Sequence, residues 1–172
     1  MGENVHLCRP SIDLQNEYIS FYEEWVNGGE ELEGMAPWVI SKDPADFHKM
    51  IKSLLNNEKV EYLPDGGIPS STYWLITDSR KVVGSVNIRH SLTTFGHIGY
   101  GIRPSERRKG YATKLLALSL LKASELGIEK VLVICHKDNT GSEKTIRNNG
   151  GIQDTSYFEE NGNVLLRFWI DL

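Results

Sequence analysis

Two segments in the first part of the chain carry apolar residues at the spacing of an α-helix. A glycine pair follows the segment 14–27, and the segment 44–57 has a proline near its start, which suits the first turn of a helix. Their apolar faces consist of Leu14, Tyr18, Phe21, Tyr22 and Trp25 in the first and Phe47, Met50, Ile51, Leu54 and Leu55 in the second. The pattern therefore predicts two amphipathic helices, each with one face against a core.

From Thr72 onward the hydrophobic period changes from helical to alternating. The segments 72–77 and 81–92 have the pattern of two strands joined by an Asp-Ser-Arg hairpin, and 97–104 has that of a third strand ended by a proline. Near the start, 5–11 has the pattern of an edge strand. These segments predict an antiparallel meander. The stretch 61–71 ahead of it is rich in Pro, Gly and Ser and predicts a loop.

A strand–helix–strand crossover follows the meander. The long apolar helix predicted over 112–127 connects the strand 97–104 to 130–135, a continuous apolar strand of the kind buried on both faces. We expect these two strands to be locally parallel and their connection to be right-handed.

The last third of the chain predicts a short helix, 142–151, and a terminal hairpin. An Asn-Gly turn at 161–162 joins the two predicted hairpin strands, 152–160 and 164–172. Together with the preceding elements, this order predicts an α+β domain around one sheet.

Composition narrows the class of protein without identifying it. The chain has 172 residues, of which 40% are hydrophobic, and we expect a single domain over 1–172. A formal charge of −4 and a pI near 5.7 argue against the broad basic face of a nucleic-acid-binding protein. Cys8 and Cys135 do not form a CxxC pair, so neither a disulfide framework nor a metal site is expected. With no signal peptide or membrane-length apolar run, the prediction is a soluble cytoplasmic protein without membrane contact.

The most informative stretch is RPSERRKGYATKLL, residues 103–116. Three cations, Arg107, Arg108 and Lys109, precede Gly110 at the point where a strand ends and a helix begins. Unpaired amides and the partial positive charge of a helix N-terminus favour a phosphate there, and a glycine lets its oxygen approach closely; Ala112 is small for the same reason. The alternative is a charged, solvated turn. Neither a P-loop nor a GxGxxG dinucleotide fingerprint is present.

A second polar segment follows the next strand. In CHKDNTGSEKTIRNNGG, 135–151, Asn139 begins a polar connection ahead of the short helix. Its side chain can cap that helix, or it can point into a groove between two strand ends.

Together these residues resemble the GNAT superfamily of acyl-CoA-dependent N-acyltransferases, and in particular a bacterial subgroup of acetyltransferases. The family's cofactor motif, Q/R-x-x-G-x-G/A, matches residues 107–112, and its following Asn and small residue match Asn139 and Ser142. The resemblance implies a mixed, mostly antiparallel central sheet with helices on both faces. It also implies acetyl-CoA as acyl donor, with its pantetheine arm in a splayed gap between the strands at 97–104 and 130–135.

The resemblance assigns a set of cofactor-binding residues. The pyrophosphate would contact amides from Arg108 to Thr113, and the pantetheine arm would pair with backbone groups near Ile102 and Pro104. The set comprises Ile102, Arg103, Arg107, Arg108, Lys109, Gly110, Tyr111, Ala112, Thr113, Asn139 and Ser142.

The implied chemistry is direct attack of an amine on the thioester, assisted by a base, an oxyanion donor and an acid for the thiolate. A backbone N–H of Gly101 or Ile102 is the expected oxyanion donor. The tyrosine that many family members use as the acid is replaced by Ile146. Tyr157 and Ser142 are the substitute candidates, although a thiolate is a fair leaving group without one.

His97 is the candidate base, because an unperturbed histidine pKa of about 6.5 suits the task. The alternative is that His97 only packs at a strand start. Glu31, Glu33 and Glu159 could bind a cationic substrate or be plain surface charges.

Three functions stay open at this point. The first is an acetyl-CoA-dependent N-acetyltransferase acting on a small-molecule or peptide amine, for which the resemblance allows a homodimer. The second is a catalytically weak or inactive module of the same fold that senses acyl-CoA, which the loss of tyrosine at Ile146 suggests. The third, another phosphate-binding module for nucleotides, lacks the usual motifs.

Overall fold

The structure is a computed structural model and describes residues 3–28 and 44–172. In chain order its elements are β1 (Val5–Cys8), α1 (Gln15–Asn27), α2 (Phe47–Asn56), β2 (Ser70–Thr77), β3 (Val82–Arg89), β4 (Ile98–Ile102), α3 (Tyr111–Glu125), β5 (Lys130–His136), α4 (Thr140–Asn148), β6 (Ile152–Gln153), β7 (Tyr157–Phe158) and β8 (Val164–Asp171). Short 3-10 turns precede α1, α2 and β2 and follow β4.

The predicted single sheet is divided into two four-stranded halves. The first has the order β1-β2-β3-β4, with all three pairings antiparallel. In the second, β8 pairs antiparallel with β5, β6 and β7. β4 and β5 lie side by side where the halves meet but form no ladder. The mixed, mostly antiparallel architecture is therefore confirmed, with the splayed gap that the family resemblance implied.

Helices cover both faces because the strands of the meander alternate between two cores. On β2, Trp74 and Ile76 pack with the apolar faces of α1 and α2, whereas Leu75 between them points to the other side. Trp74 stacks on Tyr18 of α1 with ring centroids 4.5 Å apart. The second core lies under α3 and α4, where Leu115, Leu116 and Ile146 are buried.

Several predicted boundaries are corrected. The first strand ends at Cys8, since Pro10 has no N–H to donate and Ser11 caps a 3-10 turn through the Asp13 amide. β2 begins at Ser70, inside the predicted loop. The single predicted strand 152–160 is two short ones, because Asp154 accepts hydrogen bonds from the Thr155 amide and the Trp169 indole N–H at the break between them.

Candidate functional site

The gap between β4 and β5 is closed at one end by His97. Its backbone N–H donates to the Leu132 carbonyl at 2.8 Å, and the Leu132 N–H donates to its imidazole Nδ1 at 3.0 Å. Gly96 allows this approach: a Cβ on its backbone, which has φ +75°, would lie 2.5 Å from the Leu132 oxygen. Two hydrogen bonds to one residue of β5 thus tie the sheet halves together here.

These contacts correct the expected role of His97 as general base. A backbone amide can only donate, so Nδ1 must be unprotonated and its lone pair is already in use. Burial, with a smaller contribution from the charge of Arg89, holds the pKa of His97 below its usual value. The side chain is buried and does not line the cavity described next. The alternative reading, packing at a strand start, is the one that the structure favours.

Beyond His97 the gap widens into a cavity of about 520 Å³. This volume lies in the range of ligand-binding pockets. Its walls come from β4, from the start of α3, from the start of α4 and from the end of α1. The lining residues are Trp25, Tyr100, Gly101, Ile102, Glu106, Arg107, Arg108, Gly110, Tyr111, Ala112, Thr113, Asn139, Gly141, Ser142, Lys144, Thr145 and Asn148.

Backbone groups of β4 face this cavity at alternate positions. The Arg103 N–H donates to Val83 of β3 and the His97 carbonyl accepts from Arg89, so the odd-numbered residues form the hydrogen-bonded pairs with β3. In an antiparallel ladder the residues between them direct their N–H and C=O groups to the other edge. Tyr100 and Ile102 therefore face the gap. Of the two amides expected to bind an oxyanion, Gly101 points away and Ile102 points in.

The N-terminus of α3 forms another part of the cavity wall. Gly110 caps the helix with φ +82°, in the left-handed region that a glycine adopts without strain. The amides of Tyr111, Ala112 and Thr113 have no carbonyl of an earlier helical turn to bond, and all three residues line the cavity. The geometry is that of an anion-binding helix terminus.

The three cations of the motif, at positions 107–109, differ in whether their side chains reach the cavity. Arg107 and Arg108 both line the cavity. The Arg107 guanidinium lies 4.8 Å from the centroid of the Trp25 ring, and its Nε donates to the Ile102 carbonyl at 3.3 Å. Lys109 lies outside the lining and donates to Glu106 at 2.8 Å. Burial raises the pKa of Glu106, but its hydrogen bonds from Lys109 and Lys81 outweigh burial and lower it.

Arg103, expected at the cofactor, turns to the other side of the sheet. Its guanidinium is buried, pairs with Glu24 of α1 and donates to the Ser20 hydroxyl at 2.8 Å. Glu24 also accepts from the Ser105 amide. Arg103 therefore fixes α1 against the end of β4, which places Trp25 at the cavity, and its side chain does not line that cavity.

Asn139 and Ser142 lie at the start of α4. The Asn139 side chain caps α4 by accepting the Ser142 N–H at 3.0 Å, and both residues line the cavity. The Ser142 hydroxyl lies 2.8 Å from the hydroxyl of Tyr100. Burial raises the pKa of Tyr100 to about 12.

The structure does not bring the other candidates into the site. Tyr157 lies on β7, 59% exposed and outside the lining. Ile146 is fully buried in the core under α3 and α4. Glu159 lies near the terminal hairpin turn, where its N–H donates to the Asn163 carbonyl. Glu31 and Glu33 are outside the described residues.

Two aromatic residues of the cavity wall, Tyr100 and Trp25, were missed by sequence reasoning. Trp25 is buried, and its indole N–H has no acceptor within 3–28 and 44–172. Strand alternation could have shown that the backbone groups of Tyr100 face the edge of β4 away from β3. For Trp25 there is no such signal, because the sequence does not distinguish it from the other apolar residues of α1.

Two kinds of feature are absent from the part of the chain that the structure describes. None of its helices combines the length and the apolar character that crossing a membrane requires. Nor do three or more His, Cys, Asp or Glu side chains gather there as a metal site would need.

Comparisons with known proteins agree with this geometry. A family model described as an acetyltransferase (GNAT) domain matches residues 14–152. No curated protein sequence matches significantly.

Solved structures with the same fold include several acetyltransferases. The microcin C7 self-immunity acetyltransferase MccE, in complex with acetyl-CoA and AMP, is 16% identical with a TM-score of 0.71, over 99% of this chain and 94% of that one. The ribosomal L7/L12 α-N-protein acetyltransferase RimL, in complex with coenzyme A, is 13% identical with a TM-score of 0.72, over 99% and 96%. A GNAT-family acetyltransferase from Bacillus anthracis is 14% identical with a TM-score of 0.68, over 99% and 96%.

Proposed function

Because the family match spans most of its length, this chain belongs to the GNAT acetyltransferase family, and we propose that it transfers an acetyl group from acetyl-CoA to a primary amine of a small molecule or peptide. The predicted family, fold class and acetyl donor are confirmed at that level, and the class of enzyme is an acetyl-CoA-dependent acetyltransferase. The acceptor class and the roles of individual residues are the parts proposed here.

One observation carries the assignment of roles: a single cavity joins an anion-binding helix terminus to an unpaired strand edge. The amides of Tyr111, Ala112 and Thr113 and the guanidinium of Arg108 would hold the pyrophosphate. Arg107 would also contact the pyrophosphate, with its guanidinium held beside the Trp25 ring. Lys109 is assigned a weaker part than the motif suggests, because its ammonium is already paired with Glu106.

The pantetheine arm fits the strand edge. Its amides can pair with the N–H and C=O groups that Tyr100 and Ile102 direct into the gap, as an added strand would. Asn139 and Ser142 on the α4 side close the other wall. The hydrogen bond from Leu132 to His97 prevents the arm from passing deeper.

In the reaction, the amine nitrogen attacks the thioester carbonyl, a C–N bond forms, and the C–S bond breaks. The carbonyl oxygen gains negative charge in the transition state, so a fixed donor that faces it lowers the barrier. A gap-facing amide of β4, Ile102 or Tyr100, supplies such a donor without a special side chain. Neither His97 nor Tyr157 has a role in this proposal.

The class of acceptor is proposed here, and the similar solved structures support it only as examples. RimL is named for acetylating the α-amino group of a ribosomal protein, and MccE for self-immunity to microcin C7. The RimL example fits a primary amine of a peptide.

The test has two stages. Calorimetry should first detect binding of acetyl-CoA, and the absence of binding at high micromolar concentration would overturn the assignment. Thiol release is then measured across polyamines, amino sugars, amino acids, aminoglycosides and peptides with free N-termini. Turnover with any of them supports the transferase; binding with no turnover across the whole panel favours the sensor module that the residue Ile146 suggested.

A further inference from the structure

Two hydroxyl groups meet across the gap, away from the phosphate-binding end of the cavity. Tyr100 comes from β4 and Ser142 from the first turn of α4, with 2.8 Å between Oη and Oγ. Both residues line the cavity. Their hydrogen bond links β4 of the first sheet half to α4, the helix that follows β5 of the second half.

Counting protons shows what this pair can offer a ligand. Two hydroxyls hold two protons, and their mutual hydrogen bond uses one, so one remains for a third group. Either hydroxyl can be the donor in this pair. When Ser142 donates to the Tyr100 oxygen, the proton that remains for a ligand is that of Tyr100.

The position of Tyr100 along β4 sets which part of a ligand it meets. Among the cavity-lining residues of β4 it is the farthest from the N-terminus of α3, and the closed end at His97 lies just beyond it. An acyl-CoA with its phosphates at α3 and its arm along β4 has its sulfur at this deep end. This step rests on the proposed function.

We propose that the Tyr100 hydroxyl, held in place by Ser142, donates a hydrogen bond to the sulfur of CoA and stabilises the thiolate that the amine displaces. The electron pair of the broken C–S bond stays on sulfur, and the proton lost by the amine passes to water. Tyr100 keeps its own proton throughout. The position of the usual family tyrosine is taken by Ile146, which is buried in the core, and Tyr100 supplies a hydroxyl from the neighbouring strand instead.

The surroundings of Tyr100 favour a donor over a full acid. Burial raises its pKa to about 12, whereas a thiol has a pKa near ~8.5, so complete proton transfer to sulfur is disfavoured by roughly three powers of ten. The other titratable groups near it are Cys135 on β5, whose pKa burial raises to about 11, and Lys144 on α4. Tyr111 lies at the far end of the cavity, where its hydroxyl accepts the Glu3 N–H at 3.1 Å.

The experiment compares CoA with desulfo-CoA, which lacks only the thiol. Calorimetry at pH 6.5 and pH 9.5 gives the affinity ratio of the two ligands at each pH. For the unmodified protein, we expect the ratio of CoA affinity to desulfo-CoA affinity to rise about 10-fold from pH 6.5 to pH 9.5. This gain is the equivalent of a thiol pKa lowered by about one unit in the complex. Tyr100→Phe should remove this gain, and Ser142→Ala should reduce it.

The matched control is Tyr157→Phe, at a tyrosine that is 59% exposed and lies outside the cavity lining, and this variant should keep the full gain. An equal gain in Tyr100→Phe and the unmodified protein would overturn the inference while leaving the proposed function intact. Failure of both ligands to bind the unmodified protein would overturn both. Should Tyr100→Phe fold poorly, Ser142→Ala decides alone, since it removes only a hydroxyl from the first turn of α4. An unchanged ratio in that variant contradicts the inference.

Discussion

The two ends of the gap between β4 and β5 are built from the same pair of strands but have opposite properties. At the closed end, His97 and Leu132 exchange two hydrogen bonds over a glycine that leaves no room for a Cβ. At the open end, the backbone groups of Tyr100 and Ile102 face a cavity instead of a neighbouring strand. The cavity therefore exists because the sheet is interrupted, and the interruption has a fixed length because one end is closed by His97 and Leu132.

The largest expected effect comes from placing a negative charge at the open end. In Gly110→Glu a carboxylate would lie beside the phosphates, and like charges in contact cost several kcal/mol, so CoA affinity should fall by ~1,000-fold or more. Calorimetric titration with CoA measures this loss. Unchanged affinity would contradict the assignment of the phosphate site.

Gly127→Glu is the matched control for that variant. Gly127 follows the other end of α3, and both glycines have positive φ, +82° and +80°, with open space where a Cβ would lie. Both variants therefore carry similar backbone strain. Only Gly110→Glu should lose affinity for CoA, and an equal loss in both would assign the effect to the stability of α3.

The second effect is on stability, at the closed end. A Cβ in Gly96→Ala would lie 2.5 Å from the Leu132 oxygen, on a backbone with φ +75°. Strain and overpacking together should lower the free energy of unfolding by ~2 to 4 kcal/mol, measured by urea denaturation. Gly66→Ala, with φ +77° and nothing within 4 Å, carries the strain alone and should cost only ~1 kcal/mol. Equal losses in the two variants would mean that the contact with Leu132 is unimportant.

The smallest effect is the pH dependence of stability that comes from His97, at the closed end. His97 is neutral in the fold, with its pKa lowered mainly by burial, so the unfolded chain binds more protons as the pH falls below ~6.5. Stability should therefore fall from pH 7 to pH 5, and His90, whose pKa burial also lowers, adds to the same slope. In His97→Asn, whose side-chain oxygen can accept the Leu132 N–H, the slope should be smaller, with a loss of ~1 kcal/mol at pH 7. Urea denaturation at both pH values gives the comparison, and an unchanged slope would remove His97 as its source.

The open end was largely predictable from sequence, and the closed end was not. Residues 107–112 and Asn139 are local signals, because a helix start and a helix cap are set within a few neighbouring residues. The contact of His97 with Leu132 joins residues 35 apart in the chain, and no local pattern encodes it. Arg103 and Arg107 show the same limit. Both are cations near a strand end, and only the packing of α1 decides that Arg103 meets Glu24 while Arg107 meets Trp25.

The alternation along β4 has a kinetic consequence for its amide protons. Those of Gly99, Gly101 and Arg103 are engaged with β3, whereas those of Tyr100 and Ile102 face the gap. Hydrogen–deuterium exchange of the β4 amides should therefore alternate along the strand, slow at odd positions and fast at even ones. Filling the gap with a ligand that completes the strand edge would slow the even positions alone, so five consecutive amides report whether, and how deeply, the gap is filled.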